Sequence, residues 1–300
     1  MTAFPLASSF ARAPALKIKG FTLPRFLRLR LSTLARGLLG KMGLGEAPKK
    51  IVFLHIPKSA GTTAKDYLTA CVGARKRGQT VLISDCFPDD LVSEEEFRLA
   101  RSARFVSGHF SWDAFRKVEA GSAVTFTTLC DPAERLWSLY FTLRMTANKN
   151  RRKGMAEVYR WACELDPSAF YAIDDRRIRY LADNAMVRQL AGAFDELPAS
   201  EREWRALLEK AKQNLQDLSC VCFKSTFDQD FANVLKQANY PVIETIGRRN
   251  VTADPALDPR RKAEERARFI SQSWDTIEPF VRFDRELYEF ALDLRLAGKL

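Results

Sequence analysis

The segment Pro57-Lys58-Ser59-Ala60-Gly61-Thr62-Thr63 follows directly on the apolar run Ile51–Ile56 and leads into a helix-length stretch. A strand, a short loop carrying Lys, Gly and hydroxyls, and a helix start together form a physical recipe for holding an anion. Backbone N–H groups and the helix dipole point at the ligand, Lys58 adds a point charge, and Thr62 and Thr63 offer hydrogen bonds. The loop is not of the G-x-x-x-x-G-K-[ST] type, because its lysine precedes the glycine. Two histidines, His55 and His109, can carry a proton near neutral pH. Asp131 and Glu134 could be read as an acid/base pair, but Asp131 precedes Pro132 at a helix start and reads as a cap. None of the six cysteines, at 71, 86, 130, 163, 220 and 222, forms a C-x-x-C pair. Zinc ribbons, redox dithiols and a metal site are therefore not expected. Cys220 and Cys222 share one face of a strand and read as buried thiols.

Short apolar runs alternating with helical segments must position these groups. Ile51–Ile56, Val81–Ser84, Phe105–Ser107, Ala123–Leu129 and Cys220–Phe223 read as buried strands, with a weaker candidate at Val242–Ile246. Helices are expected around 63–73, 131–146, 201–217 and 227–238; in the second, Leu136, Leu139, Tyr140 and Leu143 form an i, i+3, i+4, i+7 stripe. The alternation predicts an α/β fold, a doubly wound parallel sheet with helices on both faces. Ligands in such sheets bind beyond the carboxyl ends of the strands.

The 300 residues are 46% hydrophobic and 28% charged, which excludes a disordered chain and a multi-span membrane protein. The net charge of +11 is unevenly placed: residues 1–50 hold ten Lys or Arg against the single Glu46. The rest is nearly neutral, so no nucleic-acid partner is expected. Leu27, Leu31, Leu34 and Leu38 recur at helical spacing, while Arg25, Arg28 and Arg36 fall largely off that stripe. Residues 1–48 thus read as a basic amphipathic tail, suited to an anionic membrane surface or to packing its leucines on the domain. Its Arg-rich, acid-poor composition also matches a transit peptide. Ala47-Pro48 marks the boundary to a domain over 49–300. No stretch approaches the roughly 20 apolar residues of a membrane-spanning helix, and no signal-peptide layout is present. The expected location is cytoplasmic, peripheral to the membrane through the tail.

His55-Ile56-Pro57-Lys58-Ser59-Ala60-Gly61-Thr62-Thr63 resembles the phosphosulfate-binding loop of sulfotransferases that use 3′-phosphoadenosine 5′-phosphosulfate (PAPS), closest to their carbohydrate branch. The run from Leu129-Cys130-Asp131-Pro132 through Arg135 and Ser138 to Tyr140 is similar to that family's L-R-D-P-x-x-R-x-x-S-x-Y. Fainter echoes at 184–192, 249–252 and 287–291 extend the resemblance from residue 50 to about 291. The resemblance implies a kinase-like α/β fold with a P-loop-like phosphosulfate loop. It implies transfer of a sulfuryl group from PAPS, as co-substrate, to a hydroxyl of a polysaccharide or glycolipid. Under it, Lys58, Ser59, Gly61, Thr62 and Thr63 cradle the 5′-phosphosulfate, Lys58 neutralises charge on the leaving phosphate, and Ser138 hydrogen-bonds the 3′-phosphate. His109, after Gly108, takes the place of the general base of the glycan 2-O-sulfotransferases, and His55 braces the loop.

Cys130 departs from the family, which has at this position an arginine pairing with the 3′-phosphate. Compensation is expected from Arg248 or Arg249, or from Arg135 within the same motif. Two alternatives stand beside this reading: a nucleotide-dependent kinase of similar fold, and a sulfotransferase-like binding protein with a weakened donor site. Residues 145–180 are the expected acceptor-facing insertion.

Overall fold

The computed structural model describes residues 31–38, 46–72, 80–83, 94–119, 121–147, 154–242 and 259–299. A short helix α1 (31–38) precedes the sheet. Then follow β1 (Ile51–Leu54), α2 (Gly61–Val72), β2 (Thr80–Ile83), α3 (Glu94–Ser102), β3 (Phe105–Gly108), α4 (Trp112–Val118), β4 (Val124–Leu129) and α5 (Pro132–Thr146). The insertion forms α6 (Ala156–Glu164), α7 (Pro167–Tyr171) and α8 (Arg176–Ala182); α9 (Ala185–Ala191), α10 (Glu201–Gln216), β5 (Cys220–Phe223), α11 (Phe227–Gln237) and α12 (Pro259–Leu296) complete the chain.

The strands form one sheet in the order β2-β3-β1-β4-β5, and every pairing is parallel. The chain runs from β1 out to the β2 edge, returns through β3, and crosses β1 to reach β4. All β1 residues are buried, as a central parallel strand requires. Their alternation sends Val52 and Leu54 into the layer built by α3, α4, α9, α10 and α12. Ile51 and Phe53 face α2 and α11 on the other side, together with Cys220 and Cys222. Helices therefore cover both faces. A third cluster packs α5 through α8 against α12, so the insertion is helical and leans on the Leu136, Leu139, Tyr140 and Leu143 stripe.

Asn184 ties this annex to the sheet layer. It adopts left-handed φ 41° and inserts into α12 beside Pro279. Its Nδ2 donates to Pro279 O, its backbone N–H to Phe280 O, and its Oδ1 accepts from the Phe283 and Asp284 amides. The Asp284 carboxylate in turn accepts from the Met186 and Val187 amides at the start of α9. Each helix thus supplies partners for backbone groups the other leaves unpaired.

In α1 the expectation that the leucines pack on the domain is corrected. Thr33 is the buried residue, Arg36 Nη1 donates to Asn239 Oδ1 at 2.7 Å, and Leu31, Leu34 and Leu38 are 47%, 57% and 61% exposed. Leu27 and residues 243–246 of the weaker strand candidate lie outside the described residues.

Candidate active site

The loop after β1 turns on two non-glycine residues in left-handed conformation, Lys58 at φ 71° and Ala60 at φ 74°. Such backbone strain, of order 1–3 kcal/mol per residue, gathers at ligand clamps. The Ser59 amide donates back to Ile56 O at 3.4 Å and the Thr63 amide to Ala60 O at 3.3 Å, which closes the loop on itself. Ser59 is fully buried between them; its hydroxyl donates to Ile56 O at 2.6 Å and meets Thr128 Oγ1 at 2.8 Å. In this geometry its side chain anchors the loop to β4. Thr62 is half-buried and Thr63 buried at the first turn of α2. Gly61 has no alternative, since a Cβ there would lie 2.1 Å from His55 Cδ2. The imidazole lies against the glycine, so His55 does brace the loop.

Lys58 is half-buried, and its ammonium donates to Thr142 Oγ1 at 2.5 Å. Among the described residues it has no carboxylate partner. Burial, and next the charge of Lys224, push its pKa down to about 8. A half-buried cation without a counter-ion, at a strand–loop–helix junction, fits an anionic group such as a phosphosulfate. Thr142 stands one turn beyond Ser138 on α5 and donates its own proton to Ser138 O at 2.7 Å. Thr142 therefore links the Lys58 ammonium to the backbone carbonyl of Ser138, whose own side chain is buried.

His109 caps the carboxyl end of β3, next to β1, and its ring lies 4.2 Å from that of His55, centroid to centroid. Its Nδ1 is 2.6 Å from His55 O. A carbonyl can only accept, so Nδ1 carries the hydrogen and the neutral ring keeps its lone pair on Nε2. The same carbonyl accepts from Gln189 Nε2 at 3.2 Å, which also reaches Phe110 O at 3.1 Å. His55 itself is buried, and burial first, then the His109, Lys65 and Lys58 charges, hold its pKa well below the usual value. It stays neutral, while His109 is half-buried at the strand end.

Cys130 is fully buried beneath the loop, its thiol directed at Lys58 O at 3.7 Å and pushed up to about 12 by burial. Arg135 is not available beside it. The guanidinium is fully buried, donates to Leu181 O and Ala182 O, and stands 3.8 Å from Asp284. Those partners face it into the α5–α8–α12 packing, so the structure does not bring Arg135 to the loop. Arg248 and Arg249 lie outside the described residues. Asp131 caps α5, accepting from the Glu134 amide at 2.8 Å. Glu134 pairs with Lys224 at 3.0 Å and Arg266 at 2.6 Å. Thr142, Gln189 and Lys224 are additions of the structure. Thr142 was findable from its i+4 spacing to Ser138, and Lys224 from its place at a strand's carboxyl end; Gln189 carried no local signal.

Among the described residues no cluster of His, Cys, Asp or Glu is arranged to hold a metal ion, and no helix is long and apolar enough to cross a membrane. A family model described as sulfotransferase family matches residues 46–291, from just before β1 nearly to the end of α12. Among curated proteins nothing matches the chain.

Proposed function

This chain belongs to the sulfotransferase family, and from that premise we propose that it moves a sulfuryl group from PAPS to a hydroxyl of a carbohydrate, on a polysaccharide or a glycolipid. The observation that carries this reading is a Lys58 with no carboxylate partner among the described residues and a tautomer-fixed His109, standing beyond the carboxyl ends of two adjacent strands. The loop from Lys58 to Thr63 holds the 5′-phosphosulfate, and Ser138 faces the 3′ side. When bound, PAPS supplies an activated sulfur–oxygen bond.

The acceptor oxygen forms a bond to sulfur as the bond from sulfur to the 5′-phosphate oxygen breaks, and 3′-phosphoadenosine 5′-phosphate (PAP) leaves. His109 Nε2 takes the acceptor proton and passes it to solvent. Lys58 balances the charge gathering on the leaving phosphate, so catalysis rests on placement and electrostatics. The exposed leucines of α1, with the surrounding basic charge, support an enzyme resting on an anionic membrane.

A thermal-shift titration tests the donor. PAP should raise the unfolding midpoint by mass action, and ATP should not. A response to ATP alone would move the reading to the kinase alternative. A response to neither would favour the binding-protein alternative.

A further inference from the structure

Cys130 and Lys224 are the first residues beyond two neighbouring strands. The β4–β5 register pairs Leu129 with Phe223, so the two leave the carboxyl edge of the sheet side by side, next to the loop that carries Lys58. Cys130 is buried and offers no charge. Lys224 reaches out instead, its Nζ 3.0 Å from Glu134 Oε1 in the first turn of α5. Arg266 Nη1, from α12, meets the same oxygen at 2.6 Å. Three elements thus bring two cations to one carboxylate, which leaves a net positive charge beside the start of α5. The Lys224 and Arg266 side chains are partly exposed, open to a ligand from solvent. The charge of Lys224 also acts on Lys58 and Cys130, which places all three in one electrostatic neighbourhood. Burial favours the neutral Glu134, but the Lys224 and Arg266 charges outweigh it and hold its pKa below the usual value. Glu134 is therefore an anion that positions both cations.

We infer that Lys224, positioned by Glu134 and seconded by Arg266, is the cation that binds the second phosphate of the donor nucleotide, the 3′-phosphate of PAPS. This rests on the donor reading proposed above. Lys224 takes the place expected of Arg135, which the Leu181 and Ala182 carbonyls hold elsewhere. A lysine here contributes a point charge rather than a bidentate fork, so it can serve the phosphate without a fixed approach.

Isothermal titration calorimetry on the full chain, with PAP and with adenosine 5′-monophosphate (AMP) as probes, separates the two claims. Wild type should bind PAP more tightly than AMP. Lys224→Met should weaken PAP by about 10- to 100-fold, the range of one charge-assisted contact, and leave AMP unchanged. Lys224→Arg should restore most of the preference, and Lys224→Gln provides the same reading should the methionine variant fail to fold. If wild type prefers PAP and both neutral variants keep that preference, Lys224 is not the 3′-phosphate cation, while the donor reading stands. Equal weakening of PAP and AMP also overturns the inference, because Lys224 would then support the site as a whole. A wild type that ignores PAP overturns the donor reading and this inference together.

Discussion

His109 donates its Nδ1 proton to the backbone carbonyl of His55 at 2.6 Å, and that bond decides which ring nitrogen can accept a proton. His55 O belongs to the residue whose ring is pressed on Gly61. The candidate base and the candidate anion loop are thus fastened to the same residue, one through its carbonyl and one through its imidazole.

If Nε2 is the proton acceptor, His109→Ala should lower turnover by about 10²–10⁴-fold. PAP affinity should barely change, because the loop keeps Lys58 and the α2 amides. Steady-state kinetics with calorimetry on the same variant provide the comparison, and near-normal turnover would remove His109 from the proton path.

Gly61→Ala must displace either the loop or the His55 ring, since the new carbon would sit 2.1 Å from Cδ2 and 2.2 Å from Nε2. We expect a stability loss of about 1–3 kcal/mol from overpacking, together with loss of PAP binding. Gly121→Ala is the matched control: its φ is 57° but nothing lies within 4 Å. It should cost only about 1–2 kcal/mol of left-handed strain and leave PAP binding intact.

Donor affinity should fall in alkali. Lys58 loses its proton near pH 8 because burial, then Lys224, disfavours its charge. Below that pH the ammonium is ready for an anion. Above it, binding must first take up a proton, so affinity should drop about tenfold per pH unit. Calorimetry should give a PAP Kd that is flat from about pH 7 to 8 and rises beyond. Lys58→Arg, charged throughout, should flatten the curve; a wild-type Kd constant to about pH 10 would contradict the assignment.

Removal of residues 1–48 should leave PAP binding intact and abolish salt-sensitive binding to phosphatidylserine vesicles. In the whole chain, replacing the outward Leu31, Leu34 and Leu38 by Ser should weaken vesicle binding without affecting stability, because none of the three is buried. Equal vesicle sedimentation by all forms would exclude the tail as the membrane contact.

Much of the architecture is legible in short stretches of sequence. The strand at Ile51, the loop at Lys58 and the helix start at Gly61 are fixed by neighbours in the chain, as are the Asp131 cap and the common face of Cys220 and Cys222. These features depend on backbone periodicity and on hydrogen bonds a few residues long, which residue types encode directly. The helical insertion and the 38-residue α12 escape the same approach. Their apolar faces are divided among several neighbours, and α12 carries Pro279, which a local reading takes as a stop.

The candidate site divides along the same line. The chain by itself determined that a loop with Lys, Gly and hydroxyls stands at the end of the first strand, that a histidine ends another, and that position 130 lacks a charge. Which groups meet there was decided by tertiary structure. Arg135 is drawn away by the Leu181 and Ala182 carbonyls and by Asp284, 149 residues further along. Lys224 arrives beside Cys130 because β5 pairs with β4 in a particular register. The leucines of α1 face outward because Thr33 and Arg36 take the contacts with the domain. Local spacing sets the face of an element on which a side chain stands; the partner it meets depends on packing between segments far apart in the chain, where burial and charge pairing are settled together.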